Sequence, residues 1–113
     1  MEGFNRMNSI QVIAHYELLS TLTGHMLAAA KSEEWDNLIS IEQQCSELVA
    51  AIKPLDAEVV LDEAACQHKK HLINNILTDD SEIRVRVQEW MHQLQLSMQS
   101  NRQEQRLLQA YGA

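Results

Sequence analysis

The chain has 113 residues and a mass of 12.9 kDa, which supports one small domain with a single core. Nine basic and sixteen acidic residues give a formal charge of −7, the wrong balance for a protein that grips duplex nucleic acid through a basic stripe. Apolar residues make up 45%, enough for a core, while Gly and Pro total four residues, too few for the turns of an all-β domain.

The first helix is expected from about Asn8 to Lys31. Val12, Leu19, Leu22, Met26, Leu27 and Ala30 form its apolar stripe, with Tyr16 on the flank. Ser32 is a good N-cap, and Glu33 and Glu34 suit the positive end of a helix dipole, so a second helix is expected to restart at Ser32. Its seam is Leu38, Ile41, Cys45, Leu48 and Ile52, alternating by three and four. Pro54 is expected to end it, leaving Pro54–Glu58 as the connection. The third helix is expected from Val59 to Leu77, with a seam of Leu61, Ala65, His68, Leu72 and Ile76. A second stripe of Val59, Cys66, Ile73 and Leu77 lies roughly 100–140° further round and needs a partner of its own. Thr78, Asp79, Asp80 and Ser81 can all cap, so a last helix is expected to begin there and run to about Leu108. Ile83, Val87, Trp90, Met91, Leu94 and Met98 would line its inner face. Residues 99–106 are polar on every side, and Leu107, Leu108 and Tyr111 follow as an apolar cluster.

The expected fold is all-α: an up-and-down antiparallel bundle of four helices, forming a single domain over 1–113 with 99–113 loosely attached. No apolar run approaches the roughly 20 residues of a membrane span. No basic segment followed by an apolar stretch opens the chain, so a secretion signal is not expected. Cys45 and Cys66 form no Cys-x-x-Cys pair, which points to free thiols in a reducing compartment, the cytoplasm.

Catalytic and metal chemistry finds little footing. A carboxylate-bridged metal centre in a bundle needs Glu-x-x-His on two helices. Glu89 and His92 fit once, facing away from Trp90, and no second copy exists. His68 and His71 have chelating spacing, but Lys69 and Lys70 between them would oppose a cation, so these histidines, like His15 and His25, read as ordinary hydrogen-bonding residues. Cys45 falls on a seam, where burial keeps a thiol neutral. Cys66 has no obvious positive neighbour, and the three glycines at 3, 24 and 112 make no phosphate loop. No enzyme activity, metal or cofactor is expected. Residues 32–63 carry nine acidic side chains against one Lys, read first as a solvated face and second as a docking surface for a basic partner. Met26, Met91 and Met98 read first as core fillers and second as an adaptable binding groove.

Two stretches carry a family resemblance. One is Leu27-Ala-Ala-Ala-Lys-Ser-Glu-Glu-Trp-Asp-Asn-Leu38, continuing through Ile41-Glu42 to Leu48-Val49; the other is the terminal Leu108-Gln-Ala-Tyr-Gly112. Together they resemble the FliT family of flagellar export chaperones. Family members often carry Gly just before Glu-Trp, where this chain has Glu33. The resemblance implies a small cytoplasmic helical protein without enzyme activity that escorts the filament-cap protein FliD to the export apparatus. It further implies contacts with the export components FliI and FliJ, and, in some members, binding of the master regulator FlhD–FlhC that blocks its activity on DNA. It implies that the C-terminal helix shields a binding surface on the preceding helices. A homodimer is open, and neither direct nucleic-acid binding nor membrane insertion is expected.

The residues fit that account. Val59, Cys66, Ile73 and Leu77 are candidate groove residues for a client helix, because the core seam does not use them. Leu107, Leu108 and Tyr111 are candidates for a cover or for direct contact; Tyr111 stands open between a frayed end, a helix anchor and a partner contact. Trp35 reads as packing at the helix junction, and Asp36 as favouring the helix start. The alternative is a dimeric helical regulatory or structural protein without an export client.

Overall fold

A computed structural model gives the backbone of residues 2–111 and the side chains of 8–99, 101, 102, 105–107, 109 and 110. The described residues are helical apart from two short connections, and none lies in a strand. They form three helices: α1 (Glu2–Lys31), α2 (Trp35–Glu58) and α3 (Glu63–Tyr111). None is long and apolar enough to cross a membrane.

The stripe of α1 goes inward as its spacing requires. Val12, Leu19, Met26 and Ala30 are buried, and Leu22 and Leu27 are half-buried beside them. Thr23 and Ala29 are buried as well. The Thr23 hydroxyl donates to the Ser20 carbonyl at 3.0 Å, so its burial leaves no donor unmade.

The α1–α2 connection corrects the expected restart at Ser32. The Ser32 amide still donates to the Ala28 carbonyl (3.0 Å), so Ser32 closes α1 and caps nothing. The Glu33 amide then donates to Ala30 (3.2 Å) and the Glu34 amide to Ala29 (2.9 Å). This pair of bonds is a Schellman turn, which requires a left-handed residue just past the helix. Glu33 supplies it at φ 58°, the one non-glycine residue with positive φ among those described. The second helix begins at Trp35 behind Glu34, whose side chain makes no capping bond.

Such a tight turn sends α2 back along α1. Cys45 Sγ lies 3.8 Å from Met26 Sδ, and the Tyr16 hydroxyl donates to Asp56 at 3.2 Å. Moving away from the turn, 26 faces 45 and 16 faces 56, the register of an antiparallel hairpin. Leu38, Ile41 and Ile52 are buried, with Cys45 and Leu48 half-buried.

Three further boundaries differ from expectation. Pro54 lies inside α2, which continues to Glu58. Proline removes the amide that would bond Ala50. Its ring is on the exposed side, and the turn beyond it is tied down by Asp56. Val59 is extended (φ −98°, ψ 131°) and caps α2, so it and Leu61 belong to the connection rather than to the third helix. That helix starts at Glu63, where Asp62 Oδ1 accepts the Ala65 amide at 2.7 Å, a side-chain N-cap. Residues 78–81 are helical, so no break separates a third helix from a fourth. The Thr78 hydroxyl is committed to the Asn74 carbonyl one turn back (2.8 Å) instead of capping a new start.

The chain divides into two compact units, 1–83 and 84–113. The first holds the hairpin and the opening turns of α3, with Leu72 and Ile83 buried. In the second, Val87 and Trp90 are half-buried, while Met91, Leu94 and Met98, expected on an inner face, are about half exposed.

Candidate partner-binding surface

Helical geometry decides which candidates share a face. At about 100° per residue, Cys66, Lys69, Ile73 and Leu77 fall within an arc of about 80° on α3, beside the arc of Ala65, Leu72 and Ile76 that turns toward the core. Cys66 and Ile73 are half-buried, and Leu77 is 59% exposed. Val59, half-buried in the connection, precedes this helix and is not on its stripe. Leu107 is 59% exposed. The side chains of Leu108 and Tyr111 lie outside the described residues. Trp35 is half-buried as the first residue of α2, and Asp36 is exposed in its first turn, where a carboxylate meets the positive end of the helix.

A lysine sits within that stripe, and its pairing shapes the surface. Lys69 Nζ donates to Asp56 Oδ1 at 2.6 Å and stands 5.3 Å from the centre of the Tyr16 ring. Tyr16 in turn donates to the other oxygen of Asp56. One carboxylate in the last turn of α2 is thereby bonded to both α1 and α3. The hydrogen bond to Asp56 raises the Lys69 pKa, against the opposing effect of burial. Burial, followed by the nearby Asp56 charge, raises that of Tyr16. This cluster was hidden in the sequence because Asp56 follows a proline and reads as loop. The usable signal was Tyr16, a polar-tipped aromatic on the flank of an apolar stripe.

Beside it, His68 Nε2 lies 3.0 Å from Glu17 Oε1. Expected on the core seam, His68 is instead about half exposed at the α1–α3 rim. Among the described residues no three His, Cys, Asp or Glu side chains are grouped to hold a metal ion. Burial, with Glu42 adding to it, raises the Cys45 thiol above its ordinary value and holds it in the unreactive form. The Cys66 thiol donates to the Leu61 carbonyl at 3.7 Å. The arrangement is a partly exposed apolar face with one charge-paired lysine.

The chain is similar to known proteins over most of its length. The family model described as flagellar protein FliT matches residues 13–113. The flagellar protein FliT of Cronobacter sakazakii is 29% identical over 104 residues, covering 91% of this chain and 85% of its own. That of Photorhabdus laumondii subsp. laumondii is 25% identical over 105 residues, covering 93% and 84%. The crystal structure of flagellar protein FliT from Bordetella bronchiseptica superposes with a TM-score of 0.70 at 32% identity, covering 74% of this chain and 94% of that one.

Proposed function

Because this chain belongs to the FliT family of flagellar proteins, we propose that it is a cytoplasmic export chaperone whose client is the filament-cap protein FliD. The observation that supports the reading is the α3 stripe, where Leu77 is 59% exposed and Ile73 one turn before it is only half-buried, apolar surface that the helical core leaves partly uncovered. A stripe spaced by three and four residues suits an amphipathic client helix. The same reading extends to contacts with FliI and FliJ and to restraint of FlhD–FlhC, and it assigns the chain no catalytic step.

Titration calorimetry of the full chain with purified FliD tests the proposal. Ile73→Asp and, at the more exposed position, Leu77→Asp are expected to weaken binding at least tenfold while circular dichroism stays helical. Undiminished affinity in both folded variants would move the client elsewhere. Removing residues 99–113 is expected to leave the melting temperature nearly unchanged, because 99–106 has no apolar face to bury. Weaker binding would make Leu107, Leu108 and Tyr111 direct contacts. A stable dimer that ignores FliD would favour a dimeric regulatory or structural role.

A further inference from the structure

Pro54 interrupts the backbone bonding of α2 one turn before its end, at an exposed position. Beyond it come the last turn of α2 and the extended connection, residues 54–62. Besides the Asp62 cap at the start of α3, two contacts join this stretch to α3, and both land on the stripe assigned to the client. Asp56 bonds Lys69 at 2.6 Å, and the Leu61 carbonyl accepts the Cys66 thiol at 3.7 Å. A third contact, from the Tyr16 hydroxyl to Asp56, ties the same stretch to α1. The Lys69 and Asp56 side chains of the ion pair are 24% and 31% exposed, and Leu55, Val59 and Leu61 of the same stretch are half-buried. Val60, in the middle, is 89% exposed and adds no packing. A segment with a weakened backbone joint at one end, an ion pair among its fastenings and none of its own side chains fully buried can detach without disrupting the core of α1 and α2.

We propose that residues 54–62 form a strap, hinged at Pro54 and latched by Asp56 to Lys69 and Tyr16, that lies over the N-terminal end of the α3 stripe and must unlatch for a client to occupy its full length. The proposal rests on the stripe being the client site, and it adds a regulation of that site. In the latched state a client reaches Ile73 and Leu77 but meets Asp56 and Leu61 at Lys69 and Cys66. Unlatching frees Lys69 as a cation within an apolar stripe, so the favoured client helix carries a carboxylate beside its apolar residues, replacing Asp56.

Hydrogen exchange of the full chain, read by mass spectrometry without any client, tests the latch. In Asp56→Asn and Lys69→Met the amides of 55–62 are expected to exchange about tenfold faster, with those of 38–52 unchanged. Raising the salt from 0.05 to 0.5 M should produce a smaller local rise in the same direction in the unaltered protein, because a part-buried ion pair is only partly screened. Glu17→Gln, which removes only the charge opposite His68, should leave 55–62 as it was. No local change in the variants, or an equal rise throughout 1–83, would overturn the strap. Titration with FliD supplies the functional arm: Asp56→Asn is expected to bind several-fold more tightly, and equal or weaker binding would show that the strap does not cover the site. Should the unaltered protein fail to bind FliD at all, the chaperone reading falls, and exchange alone decides whether the latch exists.

Discussion

A single backbone angle is the most economical test at the scale of the residue. Glu33 adopts φ 58°, where a side chain costs roughly 1 kcal/mol that glycine does not incur. Glycine also loses more freedom on folding, an opposing term of roughly 0.4–1 kcal/mol. Glu33→Gly is therefore expected to be neutral to stabilising, by up to about 1 kcal/mol, and Glu33→Val to destabilise by at least that much, because a β-branched residue fits this region worst. Denaturant unfolding of the three proteins checks the order. Tyr16 and Lys69 give a second expectation, in pH. Both bind their protons more tightly than the ordinary values of 10.0 and 10.5. Their contribution is complete below those values and is lost as pH rises through the raised ones. The melting temperature should fall above about pH 10, and less steeply in Tyr16→Phe, as followed by circular dichroism across an alkaline series.

Among the elements, burial separates residues that look alike in sequence. Leu72 is 8% exposed and Leu94 47%, although each sits on an apolar stripe of α3. Leu72→Ala is expected to cost about 2–5 kcal/mol and Leu94→Ala under about 0.5 kcal/mol; chemical denaturation distinguishes them. Ser81→Pro tests the continuity of α3: proline inside a helix costs about 3 kcal/mol, whereas at a true break it would be tolerated. The seams of α1 and α2 were legible because large apolar residues at three-four spacing have no other economical destination. The boundaries were less legible. Ser32, Pro54 and Thr78 are the residue types that punctuate helices, yet each lies within or at the closing end of one. Competing partners decide between those outcomes: the Ala28 carbonyl for Ser32, Asp56 and its two donors just beyond Pro54, and the Asn74 carbonyl for Thr78. The candidate face shows the same division. Its periodic members, Cys66, Ile73 and Leu77, could be read off the spacing, while the Tyr16–Asp56–Lys69 cluster arises from contacts 13 to 53 residues apart, beyond the reach of a local pattern.

For the molecule as a whole, charge and chain order are the relevant quantities. Residues 1–83 carry five basic and fourteen acidic side chains, a formal −9, whereas 84–113 carry four arginines and two glutamates, a formal +2. Partners that meet the two units therefore encounter fields of opposite sign, and salt should slow association with a basic partner only where the first unit is the one engaged. The three-residue connection between α1 and α2 has a consequence for how the molecule assembles. It brings Met26 against Cys45 across a gap of 19 residues in sequence, and each further pair along the hairpin lies a little farther apart, until Tyr16 meets Asp56 across 40. Each step closes only a slightly longer loop than the one before, so the entropy lost is small at every stage. The His68–Glu17 contact spans 51 residues and depends on that hairpin already being aligned. Assembly is thus expected to begin at the Glu33 turn and zip outward, with α3 added last. In stopped-flow refolding, Glu33→Gly should then change mainly the folding rate, and Leu72→Ala mainly the unfolding rate.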